Sequence, residues 1–155
     1  FYGFTNPWVR EHERALLERE IPAAMQAKGC TAMLVDSATH ELPPAIAAFV
    51  AAHFQPWDAD LWLWARQLPG GGNALRAHDV AIWRAGEYDV APEAAIAAGA
   101  VRVDGRTVTA RRLRLTAGSH RFEVGGPGVS LRWVPADGSV WTPRPEGEPR
   151  LRHVL

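Results

Sequence analysis

Apolar residues change period near the middle of this chain. Up to about residue 70 they fall at helical spacing or in short solid runs, and beyond it they alternate. Asn6-Pro7 reads as an N-cap followed by proline at the first helical position. Val9, Leu16 and Leu17 then share one helical face, and Pro22 is expected to end or kink the helix because its ring displaces the carbonyl four residues back. A second helical piece over 22–28 closes at Gly29. Residues 31–36 form a nearly continuous apolar run, which suits a strand buried on both faces. After Leu42-Pro43-Pro44, a third helix carries Ile46, Phe49, Val50 and His53 on one stripe, and residues 61–68 read as a second buried strand. The first half therefore predicts a βαβ-like unit with a short parallel sheet.

Pro69-Gly70-Gly71-Gly72-Asn73 reads as a flexible break between units. Strands are expected beyond it at 78–84, 86–91, 100–104, 107–110, 112–117, 119–124 and 129–134. Val101, Val103 and Val108, then Leu113 and Leu115, then His120, Phe122 and Val124, place apolar side chains on one face at period two. Asp104-Gly105 is the dipeptide that tight hairpin turns with positive φ prefer, and Ala117-Gly118 marks the next reversal. Tyr88, Leu115, Phe122, Leu131 and Trp133 are expected in the core. The fold class that follows is α+β. A small α/β layer with a short parallel sheet spans 1–72, an antiparallel β-sandwich-like unit spans 73–135, and an irregular proline-rich tail spans 136–155.

Composition narrows the function classes. With 47% hydrophobic and 22% charged residues in 155, the chain has the means for an ordinary core. Its 17 basic and 17 acidic residues balance to a formal charge of +0, without the basic excess that phosphate neutralisation demands, so no nucleic-acid partner is expected. No apolar stretch approaches the ~20 residues that span a bilayer. No signal peptide is recognisable, and the start at Phe1 is expected to mark a piece of a longer protein. The lone Cys30 has no partner for a disulfide or a metal cluster and is expected to be a buried thiol.

Chemistry is sparse. Asp36 and His40 follow the first strand, and ligands of α/β sheets gather at the carboxyl ends of strands. Asp36 is a candidate for holding a hydroxyl and His40 for an acid or base; the alternative is a turn cap and an exposed imidazole. The histidines show no metal-ligand spacing, Gly70–Gly72 lacks the pattern of a phosphate loop, and no serine sits in a nucleophile elbow. No metal, cofactor or catalytic residue is therefore expected. Seven tryptophans are the remaining signal, because indole faces stack on the apolar faces of sugar rings. Trp57 and Trp64, beside the Asp36–His40 loop if the two strands are neighbours, complete a candidate glycan-contact set of Asp36, His40, Trp57 and Trp64. The alternative for the tryptophans is core filling, and Trp141 in the tail is the best candidate for an exposed ring.

As an order of blocks over about residues 9–135, the chain resembles the soluble C-terminal, extracytoplasmic region of bacterial membrane glycosyltransferases of the GT-C type, which are mannosyltransferase-like. The blocks are the helix to Ile21-Pro22 with a strand closing on Asp36, Leu42-Pro43-Pro44 with a helix to His53-Phe54, and a β-unit. That β-unit carries Gly86-x-Tyr88, Val103-Asp104-Gly105, Leu115-x-x-Gly118-x-His120 and Leu131-x-Trp133-x-Pro135. Its Tyr, Asp-Gly and Gly-x-His order also resembles the sugar-associated β-sandwich of protective-antigen-type modules. The resemblance implies a non-catalytic accessory domain facing the periplasm, partnered with the membrane-embedded part of the same parent chain and guiding a glycan acceptor. A free-standing carbohydrate-binding module and a small enzyme using the 36–41 loop are the alternatives. In such glycosyltransferases the acidic base lies between early membrane helices, so the isolated chain is expected to be inactive.

Overall fold

The computed structural model describes residues 13–35, 42–57 and 60–135. The Asn6-Pro7 cap, Val9, Asp36, His40, Trp141 and the tail 136–155 lie outside them. The architecture is mostly β with three helices among the described residues, an α+β arrangement built on a curled antiparallel sheet.

Helix α1 runs Arg14–Ala27 with Pro22 inside it, so of the two expectations, an end or a kink, the helix does not end at the proline. Leu17, Ile21 and Met25 recur every four residues and pack on the core. That packing outweighs the one hydrogen bond that Pro22 cannot donate. Leu16, expected on the same face, is instead 47% exposed. Gly29, at φ +62°, closes the helix: Gly29 N–H reaches the Gln26 carbonyl and Cys30 N–H the Met25 carbonyl. The Cys30 thiol, expected to be buried, is half-buried.

Strand β1 (Ala32–Leu34) leads to helix α2 (Pro44–His53), whose Ile46 and Val50 are buried as the stripe predicts. Helix α2 runs directly into a three-residue strand, β2 (Phe54–Pro56). The next strand, β3 (Leu61–Ile82), then reverses direction and inserts between the first two. Leu63 pairs with Ala32 on one edge and with Gln55 on the other, both antiparallel. The short parallel sheet expected from the sequence is thus replaced by a split βαβ unit. Strands β1 and β2 run the same way but never touch, because the turn after Trp57 sends β3 back between them.

The glycine break does not interrupt the chain's course either. Strand β3 continues through Pro69–Asn73 and pairs on both sides of it with β8 (Gly118–Val134), itself one strand where two were expected. The register slips between Pro69 and Gly72 and again between Gly72 and Arg76. The reason is close backbone approach. A Cβ on Gly70 would overlap the carbonyl oxygens of Gly125 and Gly126, and one on Gly128 would lie 2.7 Å from the Leu68 carbonyl oxygen. Glycine alone lets the two strands bend together here.

The other strands are β4 (Gly86–Ala91), β5 (Val101–Val103), β6 (Arg106–Thr107) and β7 (Arg112–Leu115), with a five-residue helix α3 (Glu93–Ala97) that alternation does not reveal. The main path is β1-β3-β8-β4-β7, and the β5–β6 hairpin joins β8. Tyr88, Phe122 and Leu131 are fully buried and Leu115 nearly so, while Trp133 packs half-buried against that core. Asp104 (φ +50°) and Gly105 (φ +78°) make the expected tight turn.

Side chains lock that turn to β8. The Asp104 carboxylate accepts the Arg121 N–H at 2.9 Å and the His120 Nδ1–H at 2.7 Å, and His120 Nε2 meets the Thr116 carbonyl at 2.9 Å. The bond from the Arg121 backbone, then that from His120, holds the Asp104 carboxyl below its ordinary value of 3.8. The stability this supplies is complete above the unfolded carboxyl value and is lost as pH falls through the lower folded one. Asp104→Asn should flatten the acid limb of stability against pH, read by urea denaturation from neutrality down through the carboxyl range. Gly70→Ala should cost about 3 kcal/mol through overpacking. Gly72→Ala, with open space around it but a φ of +64°, should cost only about 1 kcal/mol. Equal costs in urea would contradict the close-approach account.

Candidate functional site

Strand pairing sets the site's frame. The last residues of β1 and β2 both face the start of β3: Val35 N–H bonds the Asp60 carbonyl at 2.7 Å, and Trp57 N–H bonds the Leu61 carbonyl at 2.8 Å. The residue that follows β2 is Trp57, half-buried at this edge. Its ring is covered on one side by the Arg132 guanidinium, 4.2 Å from the centroid.

Arg132 is held from behind. It stands directly opposite Asp89 in the β4–β8 register, with a 3.7 Å contact to Asp89 Oδ2. Asp89 is 7% exposed and takes a two-pronged grip from Arg111, Nε to Oδ1 at 2.7 Å and Nη2 to Oδ2 at 2.8 Å. Bonding to Asp89 raises the Arg111 pKa further. Burial lowers that of Arg132, against the pull of Asp89, and Arg111 adds to the lowering. Two guanidiniums on one carboxylate leave a surplus positive charge next to an indole. The edge thus pairs an apolar ring with hydrogen-bond donors whose positions the sheet fixes.

Of the four residues expected to touch a glycan, Asp36 and His40 lie outside the described residues, and Trp57 sits at this edge. Trp64 does not. It is 0% exposed, packed edge-on to Trp83 at 6.0 Å and to Tyr88 at 5.5 Å, so its indole belongs to the core and has no face for a ligand. Trp62 and Trp83 are half-buried. Pairing of β1 with residues 61–63 does make the two expected strands neighbours, the condition the candidate set required.

Sequence reasoning missed Asp89, Arg111 and Arg132. The available signal was a carboxylate between two apolar strand positions, Tyr88 and Val90, which at a buried place must find a cation. It missed a second cluster as well. His53, at the end of α2, donates its Nδ1–H to the Phe49 carbonyl at 2.9 Å and accepts Arg66 Nη1–H on Nε2, also at 2.9 Å. Burial, the largest influence, lowers the His53 pKa and keeps the ring neutral for that acceptor role. These groups line a pocket of about 150 Å³ with Gln26, Asp79 and Trp83.

Elsewhere, His120 with Asp104 and Thr116 has the outline of a base–orienter–hydroxyl set, the Thr116 Oγ1 being 3.3 Å from Nε2. The Thr116 carbonyl lies nearer to Nε2, at 2.9 Å, than the hydroxyl does, so Nε2 is not aimed at the hydroxyl as a base would be. A wider cleft of about 470 Å³ beside Pro69, Pro92 and Pro127 has no titratable lining residue. No group of three or more metal-ligating side chains occurs among the described residues, and no described helix is long and apolar enough to cross a membrane. No protein-family model, curated protein or solved structure matches the chain.

Asp89 is the counter-ion for both arginines, so Asp89→Ala should destabilise the protein more than Arg111→Ala. The first leaves half-buried Arg132 facing a like charge, whereas the second leaves the Asp89–Arg132 contact in place. Denaturant midpoints of the two variants measure the order, and the reverse order would show that Asp89 does not organise the edge.

Proposed function

We propose that this chain is a non-catalytic, glycan-contacting accessory domain, acting on the periplasmic face of a membrane glycosyltransferase-like protein and partnered with that protein's membrane-embedded part. The observation that carries the reading is the Trp57–Arg132 edge, braced by Asp89 and Arg111. A sugar ring has an apolar face and a rim of hydroxyls. An indole beside fixed guanidinium donors matches both. The order of sequence blocks supports the placement beside a membrane enzyme, and the curled sheet would serve as the sandwich-like β unit such a domain needs.

The edge is assembled wholly from this chain's own side chains. That favours, as a second reading, a free-standing carbohydrate-binding module. The two differ in whether binding persists without a membrane partner.

Titration of the isolated chain with a panel of neutral and charged oligosaccharides, followed by amide and indole shifts, tests the reading. Saturable shifts at Trp57 and around Arg132 are expected, and Trp57→Ala should weaken binding about tenfold, near 1.4 kcal/mol. Trp64→Ala should instead cost about 3–5 kcal/mol of stability. If no oligosaccharide moves the Trp57 indole, or Trp57→Ala binds as well as the parent chain, the glycan edge is wrong.

A further inference from the structure

Arg66 is in an unusual position for a cation. It is half-buried on the core face of β3, and its one hydrogen-bonding partner among the described residues is the neutral His53 ring. Half-buried guanidiniums ordinarily meet a carboxylate, because desolvating an uncompensated charge is costly. Half-buried Arg132 shows the usual solution within this same protein, 3.7 Å from Asp89 Oδ2, and exposed Arg111 grips the same carboxylate through its Nε and Nη2 edge at 2.7 and 2.8 Å. Arg66 spends Nη1 on His53, and its corresponding edge has no acceptor among the described residues. The closing bond from His53 Nδ1 to the Phe49 carbonyl fixes the tautomer and makes His53 a positioning residue for Arg66.

Asp79, exposed and opposite Arg121 in the β3–β8 register with no ion pair among the described residues, lines the same pocket beside exposed Gln26 and the Trp83 indole. Trp83 is itself immobilised by Phe49, stacked at 5.7 Å, and by His53 at 5.1 Å. At about 150 Å³ the space is well below the roughly 300 Å³ and more of drug-sized pockets, so it suits one ring-sized unit. Its polarity is asymmetric. One end offers the parallel donors that match a carboxylate. The other offers an anionic acceptor that would repel a second negative group and accept hydroxyl protons. A compact phosphate satisfies only the first end.

We propose that this pocket is a subsite for a carboxylate-bearing sugar unit, a uronic acid, with the carboxylate on Arg66 and ring hydroxyls on Asp79 and Gln26. The assignment rests on the glycan reading above and names the class of sugar that reading leaves open.

The test is a titration of the whole 155-residue chain with glucuronate, glucose, acetate and inorganic phosphate, reading the Arg66 side-chain and Trp83 indole signals. Glucuronate should give saturable shifts at both, with glucose, acetate and phosphate each at least tenfold weaker. Arg66→Lys should weaken glucuronate at least tenfold. Asp79→Asn, a near-isosteric change at an exposed position, should weaken glucuronate and leave acetate unchanged, which keeps the test decisive should Arg66→Lys fold poorly. Glucuronate without shifts at Arg66, or acetate or phosphate binding as tightly as glucuronate, would overturn the subsite. Neutral oligosaccharides moving Trp57 while glucuronate leaves Arg66 silent would discard the uronate and keep the glycan edge. Silence at both places would discard the two together.

Discussion

Everything in this sheet depends on how closely two glycine-rich backbones approach where β3 and β8 bend. At Gly70 and Gly128 a single methyl group would overlap backbone atoms of the facing strand. With glycine there, one pair of long strands makes two stretches of ladder, residues 65–69 with 128–132 and residues 76–82 with 118–124. The register slips between them absorb the mismatch in chain length and turn the sheet on itself. That curl encloses Trp64, Tyr88, Phe122 and Leu131 in one core. It also brings Arg66 and Asp79, from opposite sides of the bend, to one small pocket.

On this frame the charged side chains divide by how they are compensated. Asp89, nearly buried in β4, is matched by Arg132 across the ladder and by Arg111 from the segment before β7. The carboxylate holds the guanidinium, and the guanidinium covers Trp57, so one buried acid fixes the geometry of a partly exposed ring. Arg66 lies on the same sheet, and its hydrogen-bonding partner among the described residues is a neutral imidazole. One arginine has a two-pronged carboxylate grip and another, half-buried, has none among the described residues, so the second keeps donors for the proposed ligand.

Much of the local structure is legible in the sequence. The α2 stripe of Ile46 and Val50, the Gly29 helix stop, the Asp104-Gly105 turn and the buried Tyr88, Phe122 and Leu131 all follow from spacing and from residues that favour particular backbone angles. Such signals are carried by neighbours a few residues apart. The candidate site was only partly legible: Trp57 stands at the edge, but nothing along the chain distinguishes it from the buried Trp64, since indole suits either place.

What the sequence by itself determined is therefore which faces are apolar and where the chain turns. Which strand lies beside which was a tertiary decision. Alternation is the same for a strand in a parallel or an antiparallel pair, and three residues such as Phe54-Gln55-Pro56 carry too little pattern to announce a strand. Once that strand exists, β3 must reverse and run between β1 and β2. Pro69–Asn73 has the composition of a linker, yet lies within a strand because glycines on β8 meet it. The pairing of Asp89 with Arg132 and Arg111, and of His53 with Arg66, likewise exists only after folding, because the strands and helix that carry them meet through long-range ladder and helix packing.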